Sequence, residues 1–160
     1  MLLFAALLLT QTAPAAPPAT TQATQATQCK ATDASLPAPL LGWTAPGDEL
    51  TPDKAVTLDT VDAATLKGVP AGAKPGKAAM ISFKIAAAGT YGIALDQPGW
   101  IDVLPGASGG AALSSVAHGH GPECSTIRKI VRFKLDAGSY RLYLTGLAQP
   151  KAKVMLVVGE

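Results

Sequence analysis

The sequence predicts an all-β protein, an antiparallel β-sandwich of jelly-roll-like form with seven to eight short strands and one disulfide. Three observations carry this expectation. Apolar and polar residues alternate over several short runs, turn residues recur between those runs, and no long stretch shows helical spacing. Period-two burial in many short segments is the pattern of two pleated layers pressed face to face.

The strongest run is the stretch from Val131 to Thr145. Val131, Phe133 and Leu135 alternate with Arg132 and Lys134, and Tyr140, Leu142 and Leu144 alternate with Arg141, Tyr143 and Thr145. Asp136-Ala137-Gly138-Ser139 between them supplies turn chemistry. The expectation is a β-hairpin in which Leu135 faces Tyr140, Phe133 lies beside Leu142 and Val131 beside Leu144. Arg132 would then meet Tyr143 on the outer face, within cation–π reach. The same phrase stands earlier as Ile81-Ser82-Phe83-Lys84-Ile85 followed by Gly89-Thr90-Tyr91. Two copies suggest two related hairpins rather than a repeat array.

The other elements follow in order. Leu36 to Gly47 carries prolines and glycines around Leu40, Leu41 and Trp43, and reads as an extended segment whose Leu and Trp plug one end of the core. Val56 and Leu58 alternate with Thr57 in a strand. Asp62 to Leu66 suggests a single helical turn, and Lys67 to Lys77 a loop. Ala79 to Ile85 and Tyr91 to Leu95 are expected to pair as strands. Gln97-Pro98-Gly99 turns the chain into a strand from Trp100 to Leu104, and Pro105 to Ser115 is a Gly-rich loop. Lys153 to Val158 forms the last strand.

Composition narrows the function. The chain of 160 residues has 13 Lys and Arg against 11 Asp and Glu, a formal net charge of +2, so the strong basic excess of a nucleic-acid binder is missing. A run of Leu, Ala and Phe opens the chain and Ala13-Pro14-Ala15 follows it, the pattern of a secretory signal peptide over residues 1–20. Residues 21–35, rich in Thr, Gln and Ala, read as a disordered linker, and residues 36–160 as one β-sandwich domain. The expected location is periplasmic or secreted, with no membrane span after signal removal. In that setting the two cysteines, Cys29 and Cys124, are expected to form a disulfide.

One constellation could carry chemistry. His118 and His120, the only histidines, lie two residues apart among glycines with Glu123 close behind. In an extended chain, residues i and i+2 share a side, so both imidazoles can address one metal with Glu123 adding an oxygen. Two His and one carboxylate suit Fe, and imidazoles alone suit Cu or Zn. The plainer reading is a glycine-rich loop beside a disulfide, with no cofactor required. Gly72 to Ala78 is one residue short of a phosphate loop and lacks its Ser or Thr, and Ser108 lacks the G-x-S-x-G frame of a nucleophile elbow. Arg128, Arg132, Lys134 and Arg141 read as a solvated sheet face. Arg132, Arg141 and Tyr143 on that face, or Trp100 with His118 at the end of the sandwich, are the candidate ligand surfaces.

Two resemblances bear on function. The succession of a strand, Ala88-Gly89-Thr90-Tyr91, a second strand, Trp100-Ile101-Asp102-Val103-Leu104, a long loop and Ala137-Gly138-Ser139-Tyr140-Arg141-Leu142-Tyr143-Leu144 resembles the bacterial pre-peptidase C-terminal (PPC) domain, over about Lys77 to Val158. That resemblance implies a secreted β-sandwich serving as an accessory module. His118-Gly119-His120 followed by Glu123 is similar to the first metal motif of cupins, which implies a non-haem Fe(II) site and an aromatic substrate, as in homogentisate dioxygenase. Two expectations therefore stand side by side. One is an exported, non-enzymatic binding or structural module for a small molecule, glycan or protein. The other is a small metal-binding protein or metal-dependent dioxygenase using His118, His120 and Glu123.

Overall fold

The computed structural model describes residues 29, 31–52, 54–106 and 110–159. The expected signal peptide, most of the linker and Ser108 lie outside the described residues. Among the described residues nine strands follow one short 3-10 helix, Ala38–Thr44: β1 (Ala55–Asp59), β2 (Val61–Asp62), β3 (Lys77–Ile85), β4 (Gly89–Leu95), β5 (Trp100–Pro105), β6 (Ala117–Gly119), β7 (Lys129–Leu135), β8 (Gly138–Leu147) and β9 (Lys151–Val158). They form two sheets, one ordered β1-β9-β4-β7-β6 and the other β2-β3-β8-β5. All pairings between these strands are antiparallel.

The pairings nest: β1 with β9, β3 with β8, and β4 with β7. A doubled ribbon wrapped around one core is the jelly-roll arrangement, so the expected class holds with nine strands rather than seven or eight. The nesting breaks at its innermost pair. β6 does not lie along β5 but pairs with β7 in the opposite sheet, and among the described residues β8 is the one strand beside β5.

The expected hairpins are not hairpins. β7 and β8 lie in different sheets, as do β3 and β4, so each short connection arches across the sandwich. The two copies of the repeated phrase pair with each other instead. Phe83 stands opposite Tyr140, and Tyr91 opposite Phe133. Phe83 and Tyr140 stack with ring centroids 5.6 Å apart. Each tyrosine fastens its own arch: Tyr91 Oη donates to Ala87 O at 2.8 Å, and Tyr140 Oη donates to Asp136 O and accepts from Asp136 N, both at 3.0 Å. The alternation was satisfied either way, because an inward face meets the same core whether two successive strands share a sheet or face each other across it. Phe83, Ile85, Phe133, Leu135, Tyr140, Leu142 and Leu144 all join one buried cluster.

The segment from Leu36 to Thr44 packs on the outer face of the five-stranded sheet rather than plugging an end of the sandwich. Within the stretch Leu36 to Gly47, expected to be extended, Ala38–Thr44 is helical instead, because Pro37 at the cap and Pro39 in the first turn suit a helix start, where their missing N–H groups cost nothing. Leu40 and Trp43 are buried against Ala94, Ile127, Ile130, Met155 and Val157 in a second cluster, while Leu41 points to solvent. Trp43 Nε1 donates to Thr126 Oγ1 at 2.7 Å, and Lys153 Nζ sits 4.7 Å from the Trp43 ring centroid. The Asp33 carboxylate accepts from Thr126 N at 2.7 Å and from Thr126 Oγ1 at 2.6 Å. Beside these bonds Cys29 and Cys124 form the expected disulfide.

Candidate functional site

The displacement of β6 leaves the two sheets unsealed along one side, and a cleft of about 470 Å³ opens there. Its wall on the five-stranded sheet follows from register. Lys129, Val131 and Phe133 on β7 pair with Leu95, Ile93 and Tyr91 on β4, and so face inward. His118 on β6 pairs with Val131 and shares that face. His120, two residues on, lines the same cleft, as period two requires.

The opposite lip is β5. Ile101 faces inward, while Trp100 and Asp102 sit on its outer side and line the cleft at the free edge. The loop before β6 straps one end: Leu113 N donates to Val103 O at 2.8 Å, and its side chain packs on the core. Phe133, 1 % exposed, forms the deepest part of the floor.

Charge at the rim is mostly cationic. The Lys129 ammonium donates to Gly99 O, and burial lowers the pKa of its amine from the ordinary value. Burial raises the Asp102 carboxyl above its usual range, and among the described residues no ion pair offsets the cost. Arg128 Nη1 approaches His120 Nδ1 at 3.5 Å. Trp100 is half exposed, with Lys74 Nζ 5.1 Å from its ring centroid.

Of the residues singled out from sequence, the cleft gathers Trp100, His118 and His120. It does not gather Glu123, which is exposed in the turn before Cys124. Among the described residues no three His, Cys, Asp or Glu side chains cluster closely enough to hold a metal ion. The glycines also serve another end. A Cβ on Gly119 would meet open space, whereas one on Gly121 would run into the Ile127 backbone carbonyl, so Gly121 is needed for close packing.

The proposed Arg132, Arg141 and Tyr143 face is divided between the sheets. Arg132 belongs to the outer side of the five-stranded sheet, and Arg141 and Tyr143 to the outer side of the other, so Arg132 and Tyr143 do not meet. Nor are Arg141 and Tyr143 solvated. Both are buried: Arg141 Nε donates to Gly106 O at 3.1 Å, Nη1 donates to Tyr143 Oη at 3.2 Å, and the guanidinium lies 5.8 Å from the Tyr143 ring centroid. The loop after β2 brings Gly68 against the Tyr143 hydroxyl, covering a face that alternation alone marks as outward.

Lys129 is the cleft residue that sequence reasoning passed over. Its signal was available: the inward series Leu135, Phe133, Val131, continued one step, puts a charge on a core-facing position. Leu113 carried no comparable signal, because only the strap places it. A second hollow, of about 540 Å³, lies along β3 between Asp48 and Glu49 on one side and Lys84 and Ser139 on the other, and holds none of the residues flagged from sequence. Comparison with protein-family models, with curated proteins and with solved structures finds no match to this chain.

Proposed function

We propose that the chain is an exported, non-enzymatic binding module whose ligand occupies the cleft between β5 and β6. The carrying observation is the cleft itself, with an apolar floor reaching buried Phe133 and a rim where Trp100, Asp102, His118, His120 and Lys129 converge. Concave apolar pockets with a few convergent polar groups are the usual form of ligand sites. The Cys29–Cys124 bond supports assembly in an oxidising compartment, which agrees with the N-terminal signal pattern. Among the described residues no helix is long and apolar enough to cross a membrane. An accessory role beside an exported enzyme agrees with the pre-peptidase C-terminal resemblance.

Tryptophan emission tests this reading. Trp43 is fully buried on the far face of the five-stranded sheet, so a ligand in the cleft should shift only the Trp100 signal. Small-molecule, glycan and peptide libraries should yield a ligand whose signal disappears in Trp100→Phe and whose affinity falls in Phe133→Leu. A ligand that binds both variants like the parent protein refutes the placement.

His118 and His120 lining one wall supports a second reading, a Cu, Zn or Fe site. It requires stoichiometric metal in untagged protein, lost in the His118→Ala/His120→Ala variant. The dioxygenase version further requires oxygen uptake with homogentisate or a catechol.

A further inference from the structure

Resting on the cleft as the binding site, we propose that its ligand is an extended peptide segment that pairs its backbone with Ile101 on the free edge of β5 and places a carboxylate against Lys129. The edge sets this geometry. Val103 O points away from β8, since it accepts from Leu113 N, and Gly99 O points the same way, since it accepts from Lys129 Nζ. Ile101 lies midway between them, so period two turns its N–H and C=O outward as well. Among the described residues neither group has a partner, and no strand lies on that side of β5. An unpaired donor and acceptor on a sheet edge form a template for another backbone, and Leu113 already uses the next outward position in this way.

Strand pairing also assigns the side chains. A peptide residue opposite Ile101 shares its inward face, so its side chain enters the cleft against Val131 and Phe133 and should be apolar. The residue opposite Gly99 lies two positions away and faces inward again, beside Lys129. The Lys129 ammonium has three donors and gives one to Gly99 O, leaving two for an incoming carboxylate. Around the same rim stand Arg128 and Lys74, against Asp102 as the one acid among the described residues that line the cleft. The recognised pattern is therefore an apolar residue and a carboxylate, from Asp, Glu or a chain terminus, separated by one residue. A saccharide stacked on Trp100 fits less well, because Lys74 already takes one face of that ring.

The probe is a fluorescein-labelled, C-terminally amidated peptide with Leu-Ser-Glu at its centre, read by fluorescence polarisation on the intact oxidised protein. N-methylation of the Leu amide, which would donate to Ile101 O, should weaken binding about tenfold or more, and N-methylation of the Ser amide, which points away, less than about twofold. Glu→Gln in the peptide should cost about fivefold or more at low salt, and the Lys129→Gln protein should no longer distinguish the two peptides. A Leu-Ser peptide ending in a free carboxylate tests the chain-terminus source of the same chemistry. The N-methyl comparison needs no protein variant, so it stands even if Lys129→Gln folds poorly. Equal losses from both N-methyl peptides, or no peptide binding beside Trp100-dependent binding of an oligouronate, overturns the peptide assignment and leaves the cleft as a binding site. Silence of Trp100 towards every ligand class overturns both.

Discussion

Removing the disulfide perturbs the unfolded chain far more than the folded one, and this makes a quantitative prediction. Cys29 and Cys124 are 95 residues apart, and closing a loop of that length in the denatured ensemble corresponds to about 4.7 kcal/mol at 25 °C on the chain-entropy account. That is a large share of the total stability of about 5–15 kcal/mol usual for a domain. The folded state has independent anchors near the bond: the Asp33 carboxylate on Thr126, the Trp43 indole on Thr126, and the second hydrophobic cluster under the 3-10 helix. The helical segment should therefore stay docked in the Cys29→Ser/Cys124→Ser variant. Cys124 has φ of 60°, and serine leaves a side chain on the same left-handed backbone, so that strain cancels in the comparison. The assay is urea unfolding of oxidised parent and variant. The variant should lose about 3–5 kcal/mol, with a larger m-value because its unfolded chain is more expanded. Trp43 emission, isolated in a Trp100→Phe background, should match the parent before the transition. A loss under about 1 kcal/mol refutes the loop-entropy reasoning. A red-shifted Trp43 in the native baseline refutes it differently, by showing that the bond holds the segment down in the folded state.

Two further predictions follow from the same structure. Tyr140→Phe removes a hydroxyl that bonds both backbone groups of Asp136, and Tyr91→Phe removes one that bonds only Ala87 O, so the first should cost about 1–2 kcal/mol and the second about 1 kcal/mol or less by urea unfolding. A larger loss from Tyr91→Phe would contradict the fastening of the arches as described. For Asp102, burial raises the folded pKa above the unfolded value near 3.8, so its ionised form costs stability as pH rises through the folded pKa, and the cost vanishes below the unfolded one. Asp102→Asn should therefore raise the melting temperature at pH 7 and converge with the parent at pH 3, and a constant difference across that window would refute the assignment.

Much of the fold was legible because burial period is a local property. Phe83, Ile85, Phe133, Leu135, Leu142 and Leu144 could be placed on the core side from their immediate neighbours alone, and each is buried. The echo of Ile81-Ser82-Phe83-Lys84-Ile85 in Val131-Arg132-Phe133-Lys134-Leu135 was legible too. Its meaning was not, since the two copies form the paired arches at the centre of the sandwich. The candidate site divides in the same way. His118 and His120 on one side of an extended strand followed from their spacing, and both line the cleft. That Glu123, in the turn before Cys124, does not join them in lining the cleft was not legible from spacing.

The sequence by itself determined the class of secondary structure, the inward residues of most strands and the partner of each cysteine. Tertiary structure alone decided which strands lie side by side, that Arg141 and Tyr143 are covered, and that β6 deserts β5 to leave a cleft. The physical reason is the range of the forces each reports. Alternation records whether a side chain meets water or core, which its neighbours in sequence largely set. Pairing and coverage depend on which distant backbone takes up an edge, and several partners satisfy the same alternation until the whole ribbon has closed.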